Sequence, residues 1–348
     1  MITAVALSPS VDVTYVVDTF SPGAINRPSA VHRVAGGKGL NAARAAHLLG
    51  ADVAAVAILG TSNGTWFADE LARVGLPLYR VDGGEPTRTC VSIADENKHT
   101  MTEIYEHPGR VTDDEWSALG SAVAAAVADR PGWLTISGSL PRGAPEGALS
   151  ALVGLARQAN CWVAVDLHGD ALSEALTGEP DLVKVNAEEA AEMLRAGPEA
   201  TPLGLAKLLA GRARSGAVVT AGVDGAYGVS DSGSTRHVRS ATLGTYPVGS
   251  GDCLLGGLVA GLDDGRDLLD SPGHRECRGH RERVAARRGL CGPARHRRGT
   301  DADRGQLTAD GRVSTIMKFP RSEGLSPHTR APHQTALHAD RGGGQHGA

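Results

Sequence analysis

Apolar positions fall along the first 269 residues in short blocks, separated by stretches of helical period. Residues 2–7 (ITAVAL) form a continuous apolar run, as expected of a strand buried on both faces. Ser8 to Asp12 then predict a strand-end loop that carries one acid. Residues 13–34 alternate weakly, with turn signals from Ser21 to Gly23. Ala35 to Gly39 is a glycine-rich loop that opens a helix, Leu40 to Leu49, closed by Gly50. A strand at 53–59 and a helix from Thr65 to Val74 come next.

Residues 87–105 differ in character. They predict two polar-faced strands around a turn at Asp95 to Asn97, a small hairpin suited to cover a site. Strands are then expected at 133–137, 162–166, 182–185 and 217–220, and helices at 113–129, 145–159, 187–195 and 202–214. A further hairpin is expected at 226–239 and an apolar helix from Cys253 to Leu262. Strands alternating with helices predict an α/β fold: a doubly wound, mainly parallel sheet flanked by helices, with a small β lid. In such sheets ligands bind beyond the carboxyl ends of the strands.

This order stops near residue 270. Residues 270–348 carry 15 Lys and Arg against 8 Asp and Glu, whereas the first 269 carry 20 against 31. Seven of the 13 histidines also lie past 270. No period of 3.6 or 2 persists there, and the last ~25 residues have the Pro-, His- and Gly-rich composition of disordered chain. Two parts are therefore expected: one large α/β domain over 1–269, with lid strands at 11–34 and 87–105, and an atypical tail over 270–348.

Composition narrows the class. With 41% hydrophobic residues a large core is available, but at 3% aromatic content Val, Leu, Ile and Ala must fill it. The net charge of −4 gives no case for a nucleic-acid partner. Cys90, Cys161, Cys253, Cys277 and Cys291 form no CxxC pair, and no run nears the ~18 apolar residues of a membrane span. The amino terminus lacks the basic and apolar regions of a secretory signal, so a cytoplasmic, membrane-free chain is expected.

Four motifs bear on chemistry. Gly249, Ser250, Gly251 and Asp252 open a helix, where free backbone N–H groups favour a developing negative charge and the Asp can accept a proton. The same pattern also serves as a plain helix start. Gly36, Gly37 and Lys38 lead to Asn41, which suits close approach of a ligand with an amide for a sugar hydroxyl; GxxxxGK[ST] is absent. Lys184, Asn186 and Glu189 sit at a strand end that opens a helix. The Asn/Glu pair fits either water around Mg²⁺ or a capping box. Arg88 on the lid, with Arg27 and Lys38, suits phosphate.

Taken together, the motifs resemble the PfkB (ribokinase-like) carbohydrate kinases. GGKGLNAARAAHLLG (36–50), followed by nine residues and Gly60, fits the first family signature, and residues 246–259 nearly fit the second. Tyr246 and Ser250 depart from its usual residues. GSLPRG (138–143), KVNAEE (184–189) and AGVDG (221–225) lie between them in family order. SPSVD, Asn26-Arg27, Thr87-Arg88 and residues 102–109 resemble the branch of 1-phosphofructokinases and tagatose-6-phosphate kinases.

The resemblance implies an ATP- and Mg²⁺-dependent kinase converting fructose 1-phosphate to fructose 1,6-bisphosphate, or else acting on tagatose 6-phosphate or fructose 6-phosphate. It implies that Asp12, Gly36, Gly37 and Asn41 hold sugar hydroxyls. Arg88, Lys38, Arg27 and Ser137 would hold the substrate's phosphate. Asp252 would be the base, and Gly249, Ser250 and Gly251 the anion hole. Lys184, Asn186 and Glu189 would serve MgATP, with Asn186 and Glu189 reaching the metal through water. Thr220, Gly222 and Gly225 would line the nucleotide. The lid strands are suited to pair two copies into a homodimer.

In this family another apolar helix would follow at 271–283, where the sequence is instead rich in Arg, His and Gly. A reading-frame shift near 270 is one explanation. Residues 273–278, read one base later with suitable codons, give an Ala/Ile/Asn run. A basic extension for an acidic partner and a His-rich metal tail are the alternatives. An inactive sugar-phosphate-binding remnant is the functional reading from another class.

Overall fold

The computed structural model describes residues 1–129, 131–239 and 249–271. The sequence expectations for Tyr246 to Val248 and for the tail beyond Ser271 lie outside the described residues.

Strand β1 (Ile2–Ala6) is buried along its whole length. It pairs in parallel with β4 (Val53–Gly60) on one side and with β8 (Trp133–Ser137) on the other. A strand with neighbours on both edges and helices on both faces has no polar side, so ITAVA carries no alternation. The sheet extends past β4 to β5 (Leu78–Gly83). Past β8 it continues through β9 (Trp162–Asp166), β10 (Leu182–Asn186) and β11 (Gly216–Thr220), all in parallel. An antiparallel hairpin, β12 (Ala226–Ser230) and β13 (Thr235–Val238), completes nine strands.

A separate four-stranded sheet forms the lid. In it β2 (Ser10–Val17) pairs antiparallel with β3 (Ala30–Gly36) and parallel with β6 (Arg88–Asp95), and β6 pairs antiparallel with β7 (Thr100–Tyr105).

Helices cover both faces of the large sheet. One core holds α1 (Lys38–Leu48), α2 (Gly64–Arg73) and α8 (Ser250–Asp263) against the sheet through Leu40, Phe67, Leu71, Leu254 and Leu258. The other packs α3 (Asp113–Asp129), α4 (Ala148–Gln158), α5 (Gly169–Thr177), α6 (Ala187–Leu194) and α7 (Pro202–Ala210). The expected doubly wound α/β fold with a β lid is the observed one.

The close approach of α1 and α8 explains their small residues. A Cβ on Gly256 would stand 2.9 Å from Ala45 Cβ and overlap the Ala42 carbonyl. A Cβ on Gly39 would stand 2.7 Å from Ala6 Cα. Residues 39–46 are all buried, because α1 is wedged between the sheet and α8.

Some expectations need correction. Asp12 lies within β2 rather than in a loop, because the lid begins at Ser10. The edge strand β5 and the short helix α5 were not anticipated. Helix α4 starts at Ala148, since Gly147 before it is left-handed (φ 79°), and α7 ends at Ala210.

Candidate active site

The carboxyl ends of β1, β8, β9, β10 and β11 form a ledge under the lid. Their last or following residues include Ser8, Ser137, Asp166, Asn186 and Thr220. Helices α1, α6 and α8 begin on the same ledge, and α1 and α8 have no side-chain cap, so the positive ends of three helices face one region.

Asp252 sits in the first turn of α8 and is 8% exposed. Its Oδ2 accepts a 2.9 Å hydrogen bond from Asn41 Nδ2 on α1. The Gly256 contact that brings these helices together thus also brings the amide to the carboxylate. Burial raises the Asp252 pKa to about 6, and the nearby Asp166 charge adds to this. Lys184, the Asn41 bond and Lys38 oppose the rise. A carboxylate tuned to about 6 is ionised at neutral pH yet retains a useful affinity for a proton.

Beside it stands a buried charge cluster. Asp166, fully buried at the end of β9, accepts a 2.6 Å bond from Lys184 Nζ and lies 3.7 Å from Lys38 Nζ. Burial alone would push Asp166 up, but Lys184 and Lys38 outweigh it and hold its pKa below the usual range. The Lys184 ammonium reaches the helix start: a Cβ on Gly251 would stand 2.8 Å from Nζ. Gly249, left-handed at φ 76°, turns the chain into α8, so Gly249, Ser250 and Gly251 present N–H groups next to a cation. An arrangement of this kind favours negative charge.

Lys38 points into this cluster. Besides Asp166 it pairs with Glu189 Oε1 at 3.4 Å. Burial disfavours its charge, but Asp166, Glu189 and Asp252 together outweigh burial and raise its pKa. The structure therefore places Lys38 with the acids at the helix starts.

The substrate-facing set forms around β2. Asp12 Oδ1 accepts a 2.6 Å bond from Ser10 Oγ, and its carboxylate fills the space over Gly36, where any side chain would overlap it. Burial raises the Asp12 pKa. Gly37 has φ 100°, and a Cβ there would be 3.0 Å from the Ser8 carbonyl, so glycine is required for the turn into α1. Arg88 donates from Nη2 to the Ser8 carbonyl at 3.2 Å and from Nη1 to the Glu106 carbonyl at 3.1 Å. Asn41 Oδ1, Ser137 Oγ, Ser8 Oγ and Arg88 Nε are buried without a hydrogen-bond partner among the described residues. A buried polar group left open in this way calls for a partner such as a ligand or a water.

Arg27 is not brought to this set. It is exposed in the connection between β2 and β3, beyond the Val16–Ala30 pair, whereas Asp12 and Gly36 lie near the Ser10–Gly36 end. Six strand residues span about 20 Å.

Asn186 and Glu189 form a reciprocal capping box on α6, with Glu189 N donating to Asn186 Oδ1 at 2.7 Å and Asn186 N to Glu189 Oε2 at 3.2 Å. Glu189 Oε1 stays on the ledge with Lys38. Among the described residues no three His, Cys, Asp or Glu side chains gather to cage a metal. Mg²⁺, which keeps several waters and takes few carboxylates, fits Glu189 in that outer role. Thr220 Oγ1 donates to the Val185 carbonyl at 3.5 Å, and Gly222, at φ 54°, borders open space. Gly225 is required by the hairpin itself, since a Cβ there would overlap the Val238 carbonyl.

Asp166 was missed from sequence, although an acid ending an otherwise apolar strand (VAVD) was the available signal.

This fold and ledge define a sugar kinase, a phosphotransferase with a hydroxyl acceptor. Residues 2–271 match the pfkB family carbohydrate kinases, and the chain belongs to that family. It is 33% identical over 279 residues to a 1-phosphofructokinase of Rhodobacter capsulatus, covering 78% of this chain and 86% of the relative. Escherichia coli phosphofructokinase-2, solved in complex with fructose-6-phosphate, superposes with a TM-score of 0.70 at 27% identity, over 77% of this chain and 88% of that one. A possible 1-phosphofructokinase from Thermotoga maritima superposes with a TM-score of 0.66 at 25% identity, over 74% and 84% of the two chains.

Proposed function

We propose that this chain transfers the γ-phosphoryl group of MgATP to fructose 1-phosphate, yielding fructose 1,6-bisphosphate and ADP. The observation that carries the reading is Asp252, tuned to about 6 and bonded to Asn41 at 2.9 Å, at the start of the helix that also meets the Lys184 ammonium.

Asp252 takes the proton of the acceptor hydroxyl as its oxygen attacks the γ-phosphorus, and the bond to the ADP oxygen breaks. Asn41 Nδ2 orients the Asp252 carboxylate, and its open Oδ1 accepts from a sugar hydroxyl. Asp12 holds a second hydroxyl. The Gly249–Gly251 amides and Lys184 stabilise charge on the transferring group. Bound Mg²⁺ supplies charge neutralisation of the ATP phosphates, with Glu189 and Asn186 the residues suited to hold its waters. Lid closure excludes water from the transfer.

A second substrate reading, fructose 6-phosphate, is favoured by the structural match to a phosphofructokinase-2 that binds that sugar. Exposed Val31, Ile104 and Tyr105 on the lid support pairing with a second copy. Among the described residues no helix is long and apolar enough to cross a membrane, which fits a cytoplasmic setting.

The family match ends at residue 271, and we take the sequence beyond it to reflect a shifted reading frame that removes the helix expected next. A chain so altered binds sugar phosphate but turns over poorly. ATP consumption by the purified chain that depends on fructose 1-phosphate tests the activity, and absence of product would leave the remnant reading.

A further inference from the structure

Between Ser8 and the ends of β4 and β5 lies an open cleft, lined by Ser8, Gly60, Thr87, Arg88, Arg110 and Pro141 among others. Two residues with open polar atoms, Ser8 and Arg88, line it, and a third, Ser137, ends β8, the strand paired with β1. Ser8 is 6% exposed and Ser137 is 1% exposed, and neither hydroxyl has a partner among the described residues. Arg88 Nε is likewise buried and unpaired.

Backbone contacts tie the three together. Arg88 Nη2 donates to the Ser8 carbonyl at 3.2 Å, so the guanidinium is anchored beside Ser8 with Nε left over. Leu7 N donates to the Ser137 carbonyl at 3.2 Å, which sets the end of β8 beside the residue before Ser8. A Cβ on Gly138 would be 3.6 Å from Ser8 N and 3.9 Å from Ser8 Oγ. Gly138 has φ 108°, so a side chain is excluded there on backbone grounds as well.

Two hydroxyls and one guanidinium N–H, all open, form a donor set without a native acceptor. A burial of this kind is costly unless an acceptor arrives. The acceptor best matched to a guanidinium flanked by hydroxyls is a tetrahedral oxyanion such as a phosphate monoester.

We propose that Ser8 is a phosphate-binding residue, its hydroxyl completing with Arg88 and Ser137 the subsite that holds the phosphate already present on the acceptor sugar. This rests on the sugar-phosphate kinase reading and adds to it a residue that determines preference for phosphorylated over plain sugars. Ser8 makes no bond to Asp252 or Lys184, so its contribution falls on sugar-phosphate affinity rather than on the transfer step.

The test is calorimetric binding of fructose 1-phosphate and of fructose 6-phosphate to the full chain and to its Ser8→Ala and Ser8→Cys variants. Binding of an ATP analogue with Mg²⁺ is measured on the same samples as a check of the fold. Loss of a hydrogen bond to a charged group corresponds to about tenfold or greater weakening. Both variants are expected to bind the preferred sugar phosphate about tenfold or more weakly, with nucleotide affinity unchanged. Sugar-phosphate affinity equal to that of the unaltered chain, or loss of sugar-phosphate and nucleotide binding together in both variants, would overturn the assignment. If the unaltered chain binds neither sugar phosphate, the kinase reading itself fails and the Ser8 role goes with it.

Discussion

Asp166 and Lys184 meet at 2.6 Å, side by side on adjacent parallel strands, with both side chains almost wholly withdrawn from solvent. Such a pair contributes little net stability, yet leaving one member alone is costly. Here the ammonium also stands at the start of α8, so the pair locks a cation against the anion hole. Lys184→Met leaves Asp166 with only Lys38 at 3.7 Å. Chemical denaturation should show a loss of about 3 kcal/mol, and kcat should fall more than KM rises.

Asp252→Asn separates catalysis from stability. Removal of a general base costs about 10²–10⁴ in kcat. Stability should move the other way at neutral pH. The Asp252 pKa is about 6 in the folded chain against 3.8 for the free side chain, so the fold retains the proton. That preference stabilises fully below 3.8 and is lost as pH rises through about 6. The variant should therefore be more stable than the native chain at pH 7.5, by about 1–3 kcal/mol, and should match it near pH 4. Melting curves at the two pH values check the sign.

Asn41→Ala removes the bond that lowers the Asp252 pKa. The acidic limb of kcat/KM, expected near pH 6 in the native chain, should shift upward by about one unit. A pH–rate profile measures it, and an unchanged limb would disconnect Asn41 from the base.

Gly256→Ala tests the helix contact that positions both residues. The added methyl meets the Ala42 carbonyl and Ala45 Cβ, neither of which is the end of a flexible side chain. Overpacking of this kind costs about 1–3 kcal/mol, more than the gain in helix propensity. Lower stability and lower kcat are expected together, because α1 and α8 carry Asn41 and Asp252 respectively.

The coding DNA tests the shifted frame. Read one base later past codon 270, it should encode an apolar Ala- and Asn-rich segment. If no single-base change restores one, residues 272–348 are a genuine extension.

Much of the fold was legible because period and composition report burial directly. The strands expected at 2–7, 133–137 and 182–185 coincide with the central strands β1, β8 and β10, whose residues are almost all buried. The edge strand β5 escaped because only two of its six residues are buried, so LYRVDG carries no apolar run. The glycine loop, Asn41 and the Gly249–Asp252 turn stood out by local pattern. Asp166 did not, because its role comes from Lys184, on the next strand, and Lys38, on a distant helix. Only the sheet order brings the three together. The direction of Lys38 was missed for the same reason: from sequence it is one more cation, and Asp166 and Glu189, the latter 151 residues away, show where it points.

The most direct measurement is phosphoryl transfer by the purified chain and by its Asp252→Asn variant. MgATP is the donor, and the acceptors are fructose 1-phosphate, fructose 6-phosphate, tagatose 6-phosphate and plain fructose. Fructose 1,6-bisphosphate formed from fructose 1-phosphate by the native chain, at a rate at least about a hundredfold above the variant, is the expected result. Turnover by both chains at equal rates, or transfer only to plain fructose, would show that Asp252 is not the base or that the phosphate subsite has been misread.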